Sequence, residues 1–180
     1  MTKPWWREVI ETVVYALVLA LFLRWLVIQA FWIPSGSMIP TLLPNDRVLV
    51  LKFWYRLPKM EPKRGDIVVF KYPVEPERDF VKRLIGLPGD TVEIVEGRVF
   101  VNNLEITEPY VQNRDSLSME PLSVPHDQYF FLGDNRSNSQ DGRYWRDKKT
   151  GDWIPFVPRN YIRGPAVFRY WPLSRIGLLK

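Results

Sequence analysis

The stretch TVVYALVLALFL, Thr12 to Leu23, carries no charge, and after Arg24 the chain is uncharged again from Trp25 to Leu43. That is a membrane signature with one interruption. Twelve residues at ~1.5 Å each reach about 18 Å into a hydrocarbon layer of ~30 Å, so a span must draw on residues from one side. A helix from about Trp5 to Trp25 sets Trp5, Trp6 and Trp25 in the aromatic belts and lets Arg24 snorkel to the headgroups. A helix from Thr12 to Ile33 leaves Arg24 near the midplane at a cost of roughly 3 kcal/mol, which favours the first frame. WLVIQAFWI then lies at the outer interface. A cleavable leader, a buried core helix and an interfacial helix compete with this reading. The leader is poorly served by the bulky Ile28 where a small residue is needed. Lys3 and Arg7, opposed by Glu8 and Glu11, place the amino terminus in the cytoplasm and the rest of the chain outside.

Residues 1–33 are thus read as a cytoplasmic start and a single transmembrane or interfacial anchor, and residues 34–180 as an extracytoplasmic body. Beyond residue 33 there is no long helical period, and 16 Pro and 10 Gly punctuate runs of Val, Ile, Phe and Tyr, which predicts a mainly antiparallel β fold. DRVLVLKFWYRL, RGDIVVFKY and QYFFL read as strands, and GPAVFRYWPL as a closing strand. Hairpin turns fall near Glu96-Gly97 and Asn102-Asn103, while residues 107 to 128 read as loop. With no cysteine and one histidine, His126, no metal site is expected. The net charge of +5 comes from Lys and Arg scattered among Asp and Glu, which reads as a solvated face rather than a nucleic-acid surface.

The stretch following the apolar run, PSGSMIPTL, puts Ser35, Gly36 and Ser37 between Pro34 and Pro40. A linker would be polar, but Met38, Ile39 and Leu42 are apolar and the two prolines stiffen the turn. A serine exposed on such a turn suits a nucleophile, which needs a base. Two residues could serve: His126 in SVPHDQ, where a solvated histidine is the commoner outcome, and Lys82 in DFVKRLIG. On a strand, Phe80, Lys82 and Leu84 would share one face, so that burial strips the amine of its proton, while Arg83 on the other face pairs with an acid such as Asp134.

PSGSMIPTL, RGDIVVF, FVKRLIGLPGD and GDNRSNSQDGR, in that order behind an apolar amino end, resemble the four boxes of type I signal peptidases. The resemblance runs from the anchor to the carboxyl end. It implies Ser37 as nucleophile, Lys82 as general base, Ser139 as the hydroxyl that orients the lysine, and Ser35 with the Ser37 N–H as the oxyanion hole. Met38 would line the site, and Arg83, Asp134, Asp141 and Arg143 would brace it with ion pairs. The implied activity is membrane-bound, cofactor-free removal of signal peptides from exported preproteins after Ala-x-Ala, with lipid as the other partner, in the periplasm or a thylakoid lumen. FRYWP is similar to the thylakoid branch.

Two departures from the family pattern stand out. The interval from Lys82 to Gly133 is short, so the second lobe is expected to be reduced, over about 90–128, to the hairpin at Glu96-Gly97; and RDKKTGDW, Arg146 to Trp153, lengthens the connection after the last box. Other classes remain open. A self-cleaving Ser-Lys regulator would carry a helical DNA-binding domain in place of the anchor, and a non-catalytic β module binding nucleic acid would leave Ser37 and Lys82 unexplained.

Overall fold

The computed structural model describes residues 4–179, with the side chains of residues 23–26 and 56 excepted. Helix α1 (Trp5–Val27) contains the apolar run, and its 23 residues extend ~34 Å at the usual rise. Arg7, Glu8 and Glu11 interrupt its first turns. Among the described residues no helix is long and apolar enough to cross a membrane. The placements expected for Lys3 and for the Arg24 and Trp25 side chains lie outside the described residues. Val13, Val14, Tyr15, Leu17, Val18 and Leu19 are each 49% to 72% exposed. At 100° per residue these positions, with exposed Ala16 and Ala20 in the remaining sector, go round the whole circumference of the helix, so α1 has no polar side to turn to water there.

Strand β1 (Ile28–Trp32) follows α1 without an intervening residue and pairs antiparallel with β2 (Arg47–Leu51), Ile28 opposite Leu51 and Trp32 opposite Arg47. The sequence reading gave these residues to the anchor and its outer interface and named no strand there. A short apolar run has no period that reveals a strand, and it is the pairing with β2 that makes one.

The remaining strands are β3 (Ile67–Lys71), β4 (Asp79–Gly86), β5 (Thr91–Val95), β6 (Arg98–Val101), β7 (Leu104–Glu105), β8 (Met119–Ser123), β9 (Gln128–Leu132), β10 (Phe156–Pro158), β11 (Ile162–Trp171) and β12 (Gly177–Leu178). An eight-stranded sheet runs β1-β2-β11-β3-β4-β9-β10, with β12 also on β11, and a four-stranded sheet runs β7-β6-β5-β8. The pairing is antiparallel, as the turn-rich sequence predicts. β11 serves two neighbours in succession, β3 through Ile162–Pro165 and β2 through Ala166–Trp171, with register shifts that bend the sheet. The hairpin turns carry positive φ at Glu96 (47°) and Gly97 (77°) and at Asn102 (52°) and Asn103 (66°), the geometry of two-residue hairpins. β8 lies within the segment read as loop. It is an edge strand containing Pro121, which an edge tolerates, and it shows no alternation to reveal it.

Apolar side chains fill both faces of the large sheet, because its central strands are buried on each side. From β3, Ile67 and Val69 join Ile33, Met38, Leu42, Val48 and Val50 on one face, while Val68 and Phe70 pack with Leu84, Phe131 and Trp145 on the other. β9 alternates likewise: Tyr129 and Phe131 enter that second cluster, and Phe130 and Leu132 meet Val92, Ile94 and Val99 of the small sheet. The central strand β4 thereby acquires a rigid position between two cores.

Candidate active site

Ser37 sits on the loop between β1 and β2. Hydrogen bonds Ile33 N to Asp46 O (2.9 Å) and Asn45 N to Ile33 O (2.8 Å) close its neck, and buried Met38 and Leu42 plug its base into the core. Asn135, after β9, ties the loop down from the other side: its N–H donates to the Ser37 carbonyl (3.1 Å) and its Nδ2 to the Gly36 carbonyl (2.9 Å). The Ser37 loop is therefore fixed by packing below and hydrogen bonds above.

Lys82, on β4 opposite Val68 of β3, meets this loop: Nζ donates to Ser37 Oγ at 2.5 Å. The lysine is 4% exposed, and burial lowers its pKa to about 8, partly countered by the negative charges of Asp141 and Asp134 and aided by Arg143. At neutral pH roughly one amine in ten is then unprotonated, against well under one in a thousand for a solvated lysine. Ser35, exposed, donates from Oγ to Ser37 Oγ at 3.4 Å.

Behind the pair the structure joins the acids and guanidinium groups that the sequence suggested. Arg83 donates to Asp134 from Nε (2.9 Å) and Nη2 (2.7 Å), and Arg143 donates to Asp141 from Nε (2.8 Å) and Nη2 (2.9 Å). Asp141 also accepts from the Gly133 N–H at 2.9 Å. Partners not anticipated come from residues 108–115, a segment without any periodic signal. Glu108 pairs with buried Arg136, Asp115 accepts from Arg143 Nη1 at 2.5 Å, and the Tyr110 ring lies 3.8 Å from the Arg83 guanidinium. Thr41 donates to Asp134 at 2.5 Å. A buried arginine such as Arg136 in GDNRSNSQDGR demands an acid, but sequence spacing does not say which.

Two expected placements differ. Ser139 is brought beside the site, yet its buried Oγ has no hydrogen-bond partner among the described residues and is not bonded to Lys82. Met38 is fully buried in the core, packed with Ile33, Leu42 and Val48, and stands outside the groove lining. His126 is exposed in the turn before β9, also outside that lining. Among the described residues no group of three His, Cys, Asp or Glu could hold a metal.

A groove of about 580 Å³ runs to the Ser37–Lys82 contact, between Phe31–Ser37 on one side and Arg78–Lys82 on the other, with Val69, Asn138 and Gln140 completing it. A serine hydroxyl and a desolvated amine thus meet in a largely apolar groove, an arrangement in which an amine can activate a serine. The family comparison agrees: residues 6–171 match the model described as signal peptidase, peptidase S26. The chain belongs to that family and is a peptidase. It is 43% identical to "Probable signal peptidase I-2" of Synechocystis sp. over 97% of this chain and 77% of that protein, and 42% identical to "Signal peptidase I" of Leptolyngbya laminosa over 96% and 83%. It is 39% identical to "Thylakoidal processing peptidase 1, chloroplastic" of Arabidopsis thaliana over 81% of this chain and 42% of that protein.

Proposed function

We propose that this peptidase removes amino-terminal signal peptides from exported preproteins after Ala-x-Ala, using Ser37 as nucleophile and Lys82 as base, while anchored by α1. The observation that carries this is the 2.5 Å contact between Ser37 Oγ and a Lys82 amine shut away from water. The neutral amine accepts the Ser37 proton as Oγ attacks the scissile carbonyl. The Ser35 hydroxyl and the Ser37 N–H receive the oxyanion, and the Lys82 ammonium then protonates the departing amine. Water, deprotonated by the same lysine, releases the acyl group.

β4 suits the substrate. Its residues Asp79–Lys82 pair with β3 on one edge, but β9 takes up the other edge only from Arg83 onward. An extended peptide laid along Asp79–Val81 can add a strand there, its alternate side chains entering the space between Phe31, Ile33, Val69 and Val81. Bulky aliphatic walls close to the nucleophile favour small residues.

α1 supports the membrane anchor: an exposed helix apolar around its circumference is stable against lipid, not water. The active site would then lie on the outer side, in the periplasm or a thylakoid lumen. The positive charge offers little to nucleic acid, since Arg64, Arg83, Arg136, Arg143 and Arg175 each engage an acid. Cleavage of detergent-solubilised preproteins by wild type, Ser37→Ala, Lys82→Ala and His126→Ala, with amino-terminal sequencing of the product, tests the proposal. Efficient cutting after Leu or Phe, or activity that needs His126 and survives loss of Lys82, would refute it.

A further inference from the structure

Lys82 is one of three side chains that share a face of β4 and its leading residue. Residues 78, 80 and 82 alternate to the same side. The Phe80 ring centre is 5.6 Å from the Lys82 amine and 5.6 Å from the Arg78 guanidinium. All three residues line the groove. At the rise of an extended chain, Arg78 stands roughly 13 Å from Lys82, the reach of four residues.

Arg78 stands open to solvent at this position. Its side chain is 63% exposed, and Nη1 donates to Glu75 Oε2 at 3.0 Å, using one of its five N–H groups. The other Glu75 oxygen is taken by Lys148 from the Arg146–Trp153 extension, so one carboxylate is divided between two cations. Asp79, on the opposite face, accepts from Arg163 at 3.1 Å, and Glu77 is exposed on the same loop. Asp79 lines the groove as well, on the Val81 side and engaged by Arg163, so apart from Lys82 the cation at this wall is the Arg78 guanidinium.

We propose that Arg78 reads the charge of the substrate four to six residues before the scissile bond, favouring an acidic side chain and disfavouring a basic one. This rests on the groove receiving the signal-peptide side of the substrate, as argued above. A peptide extended along β4 with its scissile carbonyl at Ser37 passes Arg78 at that distance, where a carboxylate gains a charge-assisted hydrogen bond and an ammonium is repelled.

The test uses the full-length chain in nonionic detergent and peptides carrying Ala-x-Ala before the cut, with Glu, Gln or Lys at each of the fourth, fifth and sixth positions upstream. At low salt wild type should cut the best Glu peptide roughly three- to tenfold faster in kcat/KM than its Lys counterpart, the scale of exposed ion pairs, and ~1 M salt should bring the ratio towards one. Arg78→Gln should flatten the ratio and Arg78→Glu should invert it. A ratio identical in wild type and Arg78→Glu overturns the assignment to Arg78. If wild type left even the Gln peptides uncut, the cleavage activity itself would fall, and the two failures are thereby told apart.

Discussion

Arg83 and Asp134 are joined by two parallel hydrogen bonds, 2.9 Å from Nε and 2.7 Å from Nη2, with both side chains almost wholly out of water. The pair lies one residue along β4 from Lys82, and the Asp134 charge holds the lysine pKa up. Removing one partner of a buried pair strands the other, typically at about 3–5 kcal/mol. Asp134→Asn is therefore expected to lower stability by that order. In whatever folded fraction remains, the acid limb of activity should move to lower pH, because a raising influence on Lys82 has gone. Denaturant melts together with pH–rate profiles check both, and a limb displaced to higher pH contradicts the assignment.

Lys82 itself predicts two pH dependences. In kcat/KM the acid limb should fall near pH 8, where its pKa lies. In stability, the lysine is charged in both folded and unfolded chains below pH 8, so the native state bears the full cost of burying that charge, about 3 kcal/mol. Between pH 8 and ~10.4 only the unfolded chain still holds the proton, and stability rises with pH. Lys82→Met should accordingly be inactive but more stable than wild type at pH 7, by up to about 3 kcal/mol, with the gap closing towards pH ~10.5. Parallel stability curves for the two proteins across this range would speak against a desolvated lysine.

Ser139 presents a buried hydroxyl with no partner among the described residues. Leaving such a group unsatisfied costs about 1–3 kcal/mol, so Ser139→Ala should melt no lower than wild type. If the hydroxyl turns to Lys82 once substrate closes the groove, kcat drops while KM holds. Unchanged kcat in Ser139→Ala would remove Ser139 from the mechanism.

Gly133 has no room for a side chain: a Cβ there would come within 2.1 Å of Ser139 Oγ and 2.5 Å of the Ser37 carbonyl oxygen. The Ser139 side chain can rotate away, but the backbone carbonyl of Ser37 cannot. Gly133→Ala should thus displace Ser37 and reduce kcat by at least ~100-fold, the scale of a misplaced reacting group. Turnover within a factor of two of wild type would show that the loop yields freely.

The strand β1 distinguishes two truncations. Deleting residues 1–26 keeps β1 on β2, whereas deleting 1–33 strips the β2 edge of its partner and removes Ile33 from the core. The first should yield a folded, detergent-requiring enzyme and the second an aggregating one, as light scattering and activity would report.

What the sequence disclosed follows from how local each signal is. The turns at Glu96-Gly97 and Asn102-Asn103 and the burial of Lys82 in DFVKRLIG are written into neighbouring residues, so they could be read directly. Ser37 and Lys82 are 45 positions apart, and only their motifs suggested the contact that the fold makes. Glu108 and Asp115 left no trace, since each acid meets an arginine 28 positions away in a segment with no period. Ile28–Trp32 hid a strand for the opposite reason: five residues of which four are apolar suit lipid and a sheet edge equally, and only the partner strand β2 reveals the pairing.

Because β1 continues α1 with no residue between them, the way from the helix end to the nucleophile is a stiff stem rather than a tether. From Val27 to Ser37 the backbone can extend at most ~36 Å, and pairing with β2 allows little sideways swing. If α1 holds the proposed enzyme at a membrane, that stem would work as a ruler. It would set one height above the lipid at which a bond is cut, so a preprotein would be measured by the length of chain between its own apolar segment and its cleavage site before any side chain is inspected.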